Sequence, residues 1–415
     1  MQRTQGAPQM LSDDVFAALA TAEARLDPYP VLAEYRRERP VVETGLGVVF
    51  FTRYDDCLTL LRDRRFSVDE RNAPITGVTE PDDYPTLIKV DPPDHDRLRR
   101  LVQAAFTPRR VDALRHRAEG LVAAAIDEFD GGGEVDLIDA IAYPVPLAII
   151  TELIGVESED AGQVREWSTW LARSIDPAVF RTPELNARIQ EAEEGFVAFI
   201  QSVMATRRRS PGGDVLSQLV MLEMDGDRLT ERELIGMTLL LLVAGHETTV
   251  NLIGNGMLAL LRSPEQWRRA RLVSDPKRTV DELLRFDSPI QMTSRIALEP
   301  VNIGGTAIAT GDIAVLLLGA ANHDPAAFDN PDALDVTTTR HTQHLAFGQG
   351  IHHCLGAALA RAEGEAAITA LVNTFPNMEL IEEPAIRPAF VVRGREHLRV
   401  HLGRREVADR SGRGW

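Results

Sequence analysis

The stretch HLAFGQGIHHCLG, His344–Gly356, decides the fold and frames the chemistry of this chain. It contains Cys354, one of only two cysteines, which follows two histidines and lies among three glycines. Glycine costs conformational entropy, so Gly348 and Gly350 are expected where the backbone turns tightly or approaches another group closely. A merely buried structural thiol would not need such a loop, which indicates a functional role for Cys354.

A lone thiol could serve as a zinc ligand, a nucleophile or a haem ligand. A zinc site usually needs three or four closely spaced ligands, but the chain has no CxxC and no HExxH. A nucleophile needs a base, which a histidine could supply, yet no cysteine-hydrolase signature is present. A haem thiolate needs a loop that brings sulfur to iron and N–H groups that moderate its charge. The free N–H groups of Leu355, Gly356 and Ala357 at a helix start would supply these, and Phe347 would shield the sulfur.

The bulk composition restricts the class of protein. Hydrophobic content of 44% and charged content of 26% in 415 residues are ordinary for a soluble globular chain. The net charge of −17 argues against a general nucleic-acid binder. The N-terminus has no signal-peptide pattern, and the apolar runs fall short of the roughly 18 to 20 residues that span a bilayer. We therefore expect a cytoplasmic protein without a membrane segment, in which Cys57 is a small core residue and forms no disulfide.

Helical spacing dominates the chain, and we predict one mainly α domain over residues 1–402 with a minor β region and a disordered polar tail over 403–415. A long helix is predicted between 225 and 262, where Thr230 and Glu233 form a capping box. A loop over 67–94 is typical of a lid or linker. The other predicted helices cover 13–26, 30–40, 55–66, 95–106, 107–129, 147–155, 158–174, 183–208, 214–222, 264–271, 276–286 and 354–374. Strands are predicted within 40–54, 295–318 and 390–402.

The stretch FGQGIHHCLG resembles the haem-binding signature of the cytochrome P-450 family, F-G-x-G-x-H/R-x-C-x-G, at every specified position. Three further segments match in the right order, so the resemblance covers nearly the whole chain. It implies the cytochrome P-450 fold, in which a long central helix lies over a haem and the Cys loop lies on the proximal side. Cys354 would be the axial metal ligand of haem b, and Phe347 and Gly348 would also contact the cofactor.

The segment AGHETT, Ala244–Thr249, lies in the middle of the predicted long helix. A glycine there costs about 1 kcal/mol relative to alanine, and a threonine hydroxyl could simply bond to the preceding turn. The resemblance implies more. Thr248 and Glu247 would be the catalytic pair that delivers protons to the oxygen side of the haem. Ala244 would contact the haem and form the floor of the substrate pocket.

The segment DELLRF places Glu282 and Arg285 on one helix face, where they can pair. The resemblance implies that they form a buried structural pair behind the haem. Its usual third, basic partner corresponds to Ala333 here, so either Arg340 or another residue completes the network, or the network has only two members. The segment ANHDP departs in a similar way, because the family often has arginine at the position of His323.

The segment DPPDHDRLRR places His95 and Arg99 four residues apart, again on one helix face. The resemblance implies that they bind haem propionates, together with Arg295 and His352, because carboxylates need charge-assisted donors. The positions that the resemblance assigns to the substrate pocket are almost all apolar: Leu87, Ile88, Leu240, Val243, Ala244, Thr248, Ile290, Met292, Phe390 and Val391.

The resemblance implies a bacterial monooxygenase that uses O₂ and two external electrons, ultimately from NAD(P)H, to hydroxylate or epoxidise a hydrophobic small molecule. A polyketide or macrolide, a terpenoid or a steroid-like compound would suit the pocket. Because no flavin or Fe–S motif is present, a ferredoxin and its reductase are the expected partners of a monomer. A basic face of Arg99, Arg100, Arg109, Arg110 and Arg361 would dock the acidic carrier. A peroxide-using fatty-acid hydroxylase and a non-enzymatic haem sensor stay open, although the Glu247–Thr248 pair speaks against both.

Overall fold

The computed structural model describes residues 14–129, 133–156, 160–177, 180–222, 226–339 and 341–406. Helices dominate this part of the chain, as the sequence predicts. They are α1 Val15–Leu19, α2 Ala22–Leu26, α3 Tyr29–Glu38, α4 Tyr54–Arg62, α5 Asp94–Gln103, α6 Pro108–Asp127, α7 Pro144–Ile154, α8 Ala161–Leu171, α9 Pro183–Arg209, α10 Val215–Met221, α11 Glu231–Leu261, α12 Pro264–Ala270, α13 Pro276–Phe286, α14 Leu318–Ala321 and α15 Ala357–Thr374.

Short strands supply the minor β region. They are β1 Val41–Glu43, β2 Val48–Phe51, β3 Phe66–Ser67, β4 Glu134–Asp136, β5 Thr293–Ala297, β6 Val301–Ile303, β7 Thr306–Ile308, β8 Ile313–Leu316, β9 Glu379–Leu380 and β10 Arg399–His401. The largest sheet has the order β1-β2-β8-β5-β3, in which β2 and β8 are parallel and the other pairs antiparallel. The other sheets are β4-β10-β9 and the hairpin β6-β7. The pairing of Arg295 with Ala314 fixes the position of Arg295 within the large sheet.

Helix α11 is the central element of the molecule. Its start is the predicted capping box: the Glu233 N–H donates to the Thr230 hydroxyl at 3.3 Å, and the Thr230 N–H donates to the Glu233 carboxylate at 2.7 Å. By length and composition α11 could cross a membrane, but 61% of its most apolar window is buried within the protein. It packs against α7, α8, α9, α13 and α15, and is therefore the core helix of the fold.

Some local predictions need correction. The predicted helix over 13–26 is two short helices, because the Thr21 hydroxyl accepts the Ala24 N–H at 3.2 Å and caps a new start. The helix predicted from Cys354 begins only at Ala357. The loop over 67–94 contains two short 3₁₀ turns, Glu70–Asn72 and Pro74–Thr76. Of the predicted disordered tail, residues 407–415 lie outside the described residues. The assignment of residues 1–402 to a single domain stays a prediction.

Candidate functional site

The Cys loop has a backbone geometry that only its glycines allow. Gly348 and Gly350 have φ of +65° and +73°, in the left-handed region that favours glycine. A Cβ atom on Gly350 would also overlap the carbonyl oxygen of Leu61 at the end of α4. The turn closes where the Cys354 N–H donates to the Phe347 carbonyl at 2.9 Å. The glycines thus let the loop fold back on itself while it packs against α4.

The sulfur of Cys354 lies between the loop and the start of α15. The residue keeps accessible surface, yet desolvation by the protein atoms around its sulfur raises the pKa of the thiol. The Gly356 N–H and the positive charges of Arg99 and Arg361 act in the opposite direction and favour the thiolate. Among the residues that the structure describes, no three His, Cys, Asp or Glu side chains converge on a metal position. The role of Cys354 as a haem ligand stays a prediction at this point.

The four predicted propionate ligands lie together beside the loop. His95 on α5 is 1% exposed, its ring lies 4.3 Å from that of His352, and its Nε2 has no hydrogen-bond partner within the described ranges. Burial, together with the charges of Arg295, His95 and Arg99, lowers the pKa of His352 to about 3. The other ring nitrogen of His95, Nδ1, lies 3.0 Å from the Asp96 carboxylate.

Arg295 on β5 is 6% exposed, and its side chain donates to the Ser294 carbonyl at 2.7 Å. Burial lowers its pKa to about 10, against the opposing charge of Asp91. Among the described residues no carboxylate lies within ion-pair distance of Arg295 or Arg99. Buried cations are normally paired, so this donor set fits a group that brings its own carboxylates, as a haem does with two propionates.

Helix α11 is unbroken through the segment that carries Thr248. The Thr248 hydroxyl donates to the Ala244 carbonyl at 2.6 Å, the contact with the preceding turn that the residue pattern alone predicts. Ala244 is exposed and Thr248 partly exposed on the same side of the helix. Gly245 makes room for α7, since a Cβ atom on it would lie 3.0 Å from Cδ1 of Ile150.

Glu247 has a partner that the sequence did not reveal. It is 5% exposed and forms an ion pair with Arg387, which comes 140 residues later. The Arg387 Nε in turn donates to the Arg395 carbonyl at 2.9 Å. A buried carboxylate needs a cation as its partner, but no local pattern in the sequence singles out Arg387 as that cation.

His246 also has long-range partners that sequence reasoning missed. Its Nδ1 lies 3.0 Å from the Ser168 hydroxyl on α8, and its Nε2 lies 3.4 Å from the Tyr143 carbonyl. Burial lowers the pKa of His246 to about 4, so the ring is neutral at pH 7. His246 therefore links α11 to α8 and is not a charged member of the site.

The predicted pocket residues belong to different side-chain clusters, and their place in a substrate pocket stays a prediction. Leu87, Leu240 and Val243 belong to or border the main core cluster around α11. Ile88 is 56% exposed. Ala244 and Thr248 lie on α11, and the other four residues pack elsewhere. Ile290 borders the cluster behind the large sheet, Met292 and Val391 join the cluster of the N-terminal helices, and Phe390 stacks on Phe180 at 4.4 Å. Met292 in particular is 5% exposed among N-terminal side chains, so its packing there explains its apolar character.

The predicted pair of Glu282 and Arg285 is a buried network. The two side chains are 1–2% exposed and joined at 2.8 Å. Ala333 contributes its backbone, because its carbonyl accepts from Arg285 at 3.1 Å, as do those of Asn322 at 3.0 Å and Pro331 at 2.7 Å. Main-chain carbonyls thus satisfy the guanidinium, and Arg340 lies outside the described residues.

Two further departures have local explanations. The Nε2 of His323 donates to the Phe286 carbonyl at 2.9 Å, and its Nδ1 lies 2.9 Å from the Asp332 carboxylate. The His323 ring stacks on that of Tyr29 with 4.0 Å between the ring centroids. Arg361, predicted for carrier docking, pairs with Asp281 at 2.6 Å and lies over the Phe347 ring at 4.5 Å.

The other predicted docking arginines lie on α5 and α6. Arg110 donates to Gln218 at 2.7 Å, and Arg100 lies 3.3 Å from Asp227. Arg109 is exposed, and Arg99 is partly exposed. Arg361 and Arg110 thus hold the fold together and, like Arg99, are partly exposed, whereas Arg100 and Arg109 are exposed.

Comparisons with known proteins agree with this geometry. Residues 277–390 match the family model described as Cytochrome P-450. The chain is 37% identical to the polyketide biosynthesis cytochrome P-450 PksS of Bacillus subtilis, over 91% of this chain and 96% of PksS. It is 38% identical to the 6-deoxyerythronolide B hydroxylase of Saccharopolyspora erythraea, over 91% of this chain and 96% of the hydroxylase. The ligand-free crystal structure of CYP164A2 from Mycobacterium smegmatis has a TM-score of 0.88 at 36% identity, covering 94% of this chain and 100% of that one.

Proposed function

The chain belongs to the cytochrome P-450 family, and from this premise we propose that it oxidises a polyketide-derived substrate in bacterial secondary metabolism. It is a monooxygenase, and it has the mainly α fold of that family. Members hold a haem by a cysteine thiolate, use O₂, and take a hydrophobic substrate and electrons from redox partners. The roles of particular residues in this chain are inferred below from their contacts.

We infer that Cys354 would bind the iron of haem b through its thiolate, and that His95, Arg99, Arg295 and His352 would hold its propionates. When bound, the haem supplies the site at which O₂ is activated for insertion into an unactivated C–H or C=C bond. The Gly356 N–H moderates the charge on the sulfur. Arg361 holds the Phe347 ring in place beside the loop, because its guanidinium lies over that ring.

The reaction consumes one O₂, two electrons and two protons; one oxygen atom enters the substrate, and the other leaves as water. The chain must therefore deliver protons to a site from which bulk water is excluded. We assign this task to Thr248 and Glu247. The Thr248 hydroxyl can donate to a group on the exposed side of α11 once it releases the Ala244 carbonyl. Glu247 is held by Arg387, so any proton that it passes on requires this ion pair to loosen.

The substrate class is inferred from the relatives and from the apolar residues near α11. PksS is named for polyketide biosynthesis, and the hydroxylase is named for 6-deoxyerythronolide B. Leu87, Leu240 and Val243 offer apolar surface, with Thr248 as the nearby polar group. A terpenoid or a steroid-like compound would use the same kind of surface. A screen for compounds that shift the ferric haem from low to high spin, with 6-deoxyerythronolide B as the first probe, tests the class.

The electron donor is inferred to be a ferredoxin, reduced by its reductase at the expense of NAD(P)H. Such carriers are acidic, and the accessible arginines Arg99, Arg100 and Arg109 offer a local positive face on a chain of net charge −17. We expect the protein to work as a monomer in the cytoplasm, where its two thiols stay reduced.

The observation that carries this proposal is the group of four cationic or polar donors beside Cys354, with the Thr248 hydroxyl on the central helix. We predict that Thr248→Ala keeps consuming NADH in a reconstituted ferredoxin system, while peroxide replaces most of the hydroxylated product. Thr249→Ala is the matched control, because the Thr249 hydroxyl also bonds to the preceding turn, at 3.0 Å from the Gly245 carbonyl, but is buried. Equal coupling in both variants would refute the role of Thr248.

A further inference from the structure

A buried arginine near the C-terminus has no hydrogen-bond partner for its side chain among the described residues. Arg395 is 1% exposed, and its Nε, Nη1 and Nη2 are all unpaired. It lies in a hairpin over residues 385–396, the C-terminal hairpin, where it is paired with Ile386 on the opposite strand. The Arg395 side chain takes no part in the contacts assigned above to haem, substrate or electron carrier.

Arg393, two residues earlier, is a fully paired guanidinium in the same surroundings. Its Nε donates to the Asp287 carboxylate at 2.7 Å, and its Nη1 and Nη2 donate to two main-chain carbonyls at the end of α2, at 2.7 Å and 2.8 Å. Asp287 also accepts from the Tyr29 hydroxyl at 2.7 Å. The charge of Asp287 is thus balanced by Arg393, and no carboxylate in the described part of the chain lies within ion-pair distance of Arg395.

Positive charge is in excess around Arg395. The groups charged at pH 7 that act on it are two cations, Arg393 and Arg262, and one carboxylate, Asp287. Arg262, at the end of α11, pairs with Glu383 at the surface of the protein. Burial lowers the pKa of Arg395 to about 10, so its guanidinium is still charged at pH 7. Three arginines therefore share one buried carboxylate.

An enclosed guanidinium needs two things that the described residues do not give to Arg395. It needs hydrogen-bond acceptors for its N–H groups, and it needs an opposite charge, because an uncompensated buried charge is strongly destabilising. Arginine cannot avoid this cost by losing its proton at neutral pH. Water would accept hydrogen bonds from the guanidinium but would bring no charge. An anion supplies both the acceptor and the charge, so the chemistry of the site favours an anion over water.

The surroundings of Arg395 limit the size and charge of this anion. Because Arg395 is 1% exposed, the ion must be enclosed together with it. Ile386, which lies opposite Arg395 on the same face of the hairpin, and Arg393 both line a cavity of about 50 Å³. A cavity of this volume admits a water-sized ion but not a phosphorylated metabolite. The negative charge of Asp287 disfavours a divalent anion more than a monovalent one.

We propose that Arg395 binds a small monovalent anion, with chloride as the physiological ion. The anion lies where three parts of the fold meet: the C-terminal hairpin, the end of α2 that Arg393 contacts, and the end of α11 at Arg262. Arg387 of the same hairpin donates to the Arg395 carbonyl and pairs with Glu247, so the anion stabilises the segment that holds this pair. The site uses neither haem nor substrate and is independent of the proposed function.

The solution test compares thermal unfolding of the haem-loaded protein in sodium chloride and in sodium gluconate at equal ionic strength, because gluconate is too large to enter the site. We expect chloride to raise the Tm of the wild type by at least about 2 °C, in a saturable way. Arg395→Met should fold and lose this rise, because an apolar replacement of a buried ion is often neutral or stabilising. Arg399→Met should keep the rise, since Arg399 lies on β10 in exposed ion pairs with Glu134 and Glu382.

The structural test uses bromide, which replaces chloride and scatters X-rays anomalously. In crystals of the haem-loaded wild type soaked in bromide, we expect an anomalous peak in contact with the Arg395 guanidinium. Ordered water there instead of bromide would overturn the proposal. So would a chloride effect on Tm that is absent from the wild type or equally large in Arg395→Met. A bromide peak without the saturable rise in solution would show an adventitious ion only, and would refute a physiological anion site.

Discussion

The Cys loop and the centre of α11 face the same chemistry but are built in opposite ways. The turn of the loop is closed by contacts within a few residues, such as the hydrogen bond from Cys354 to Phe347, and the loop packs against Leu61 of α4. The centre of α11 depends on distant residues, since Glu247 pairs with Arg387 and His246 contacts Ser168, 140 and 78 residues away. The turn of the loop is therefore specified by its own residues. The hydrogen bonds and ion pairs of the α11 side chains depend instead on distant parts of the fold.

This contrast predicts that changes on the Cys side cost stability and cofactor retention. Changes around α11 should lower the product formed per NADH while changing the free energy of unfolding little. The variants below test this difference, from the largest expected effect to the smallest.

Arg285→Met should have the largest effect on stability, because it leaves Glu282 buried without its cation. Removing one partner of a buried ion pair typically costs about 3–5 kcal/mol. Arg268→Met is the matched control: its i,i+3 pair with Glu265 is exposed and should cost less than about 1 kcal/mol. Denaturant unfolding of both variants measures the difference. A similar small loss in both would show that the buried network does not support the fold.

Glu363→Gln should change how stability depends on pH. Glu363 lies on α15, is 2% exposed, and burial raises its pKa to about 8. The folded carboxyl therefore keeps its proton where the unfolded one has lost it, and the free energy of unfolding falls as pH rises from about 5 to about 8, by up to about 1.4 kcal/mol per pH unit. The glutamine variant should remove this slope.

The control for this titration is Glu379→Gln, at an exposed position on β9. It should leave the pH profile as in the wild type. A wild-type profile that is flat over the same range would contradict a neutral, buried Glu363.

Gly350→Ala should destabilise the Cys loop by about 1–3 kcal/mol more than Gly305→Ala does. Both glycines have positive φ, +73° and +89°, but only Gly350 lies against another backbone, that of Leu61. The comparison separates close packing from backbone strain. Haem content after purification is the second readout, and equal haem content in both variants would show that the contact with α4 does not position Cys354.

Ser168→Ala should have the smallest effect, a loss of about 0.5–1.5 kcal/mol, because it removes one buried hydrogen bond to His246. If distant contacts control the α11 side chains, Ser168→Ala should lower the product formed per NADH more than Gly305→Ala does, even though it changes the free energy of unfolding little. Coupling unchanged from the wild type would indicate that the contact between α8 and α11 is structural only.

The contrast also explains how much could be predicted from the sequence. The Cys loop, the capping box at Thr230 and the pair of Glu282 with Arg285 are local patterns, and each has the predicted structure. Arg387 as the partner of Glu247, and the backbone carbonyls around Arg285, depend on which segments meet in space. No periodicity or spacing in the sequence indicates which of these distant segments come into contact.

The pocket shows the same limit. Met292 and Leu240 are both apolar, and the family resemblance assigns both to the substrate pocket, yet they pack in different side-chain clusters. The apolar character of a side chain predicts that it is buried, but it does not predict which other side chains it contacts. The same limit applies to the predicted docking face. The positive charge of Arg361 suggested a surface role, but its guanidinium pairs with Asp281 and lies over the Phe347 ring.

The optical spectrum of the reduced, CO-bound protein tests the central claim most directly, namely that Cys354 binds haem as a thiolate. The account predicts a Soret band with the strong red shift of thiolate ligation, absent from Cys354→Ser. A band without that shift in the wild-type protein, or the same shifted band in Cys354→Ser, would contradict it.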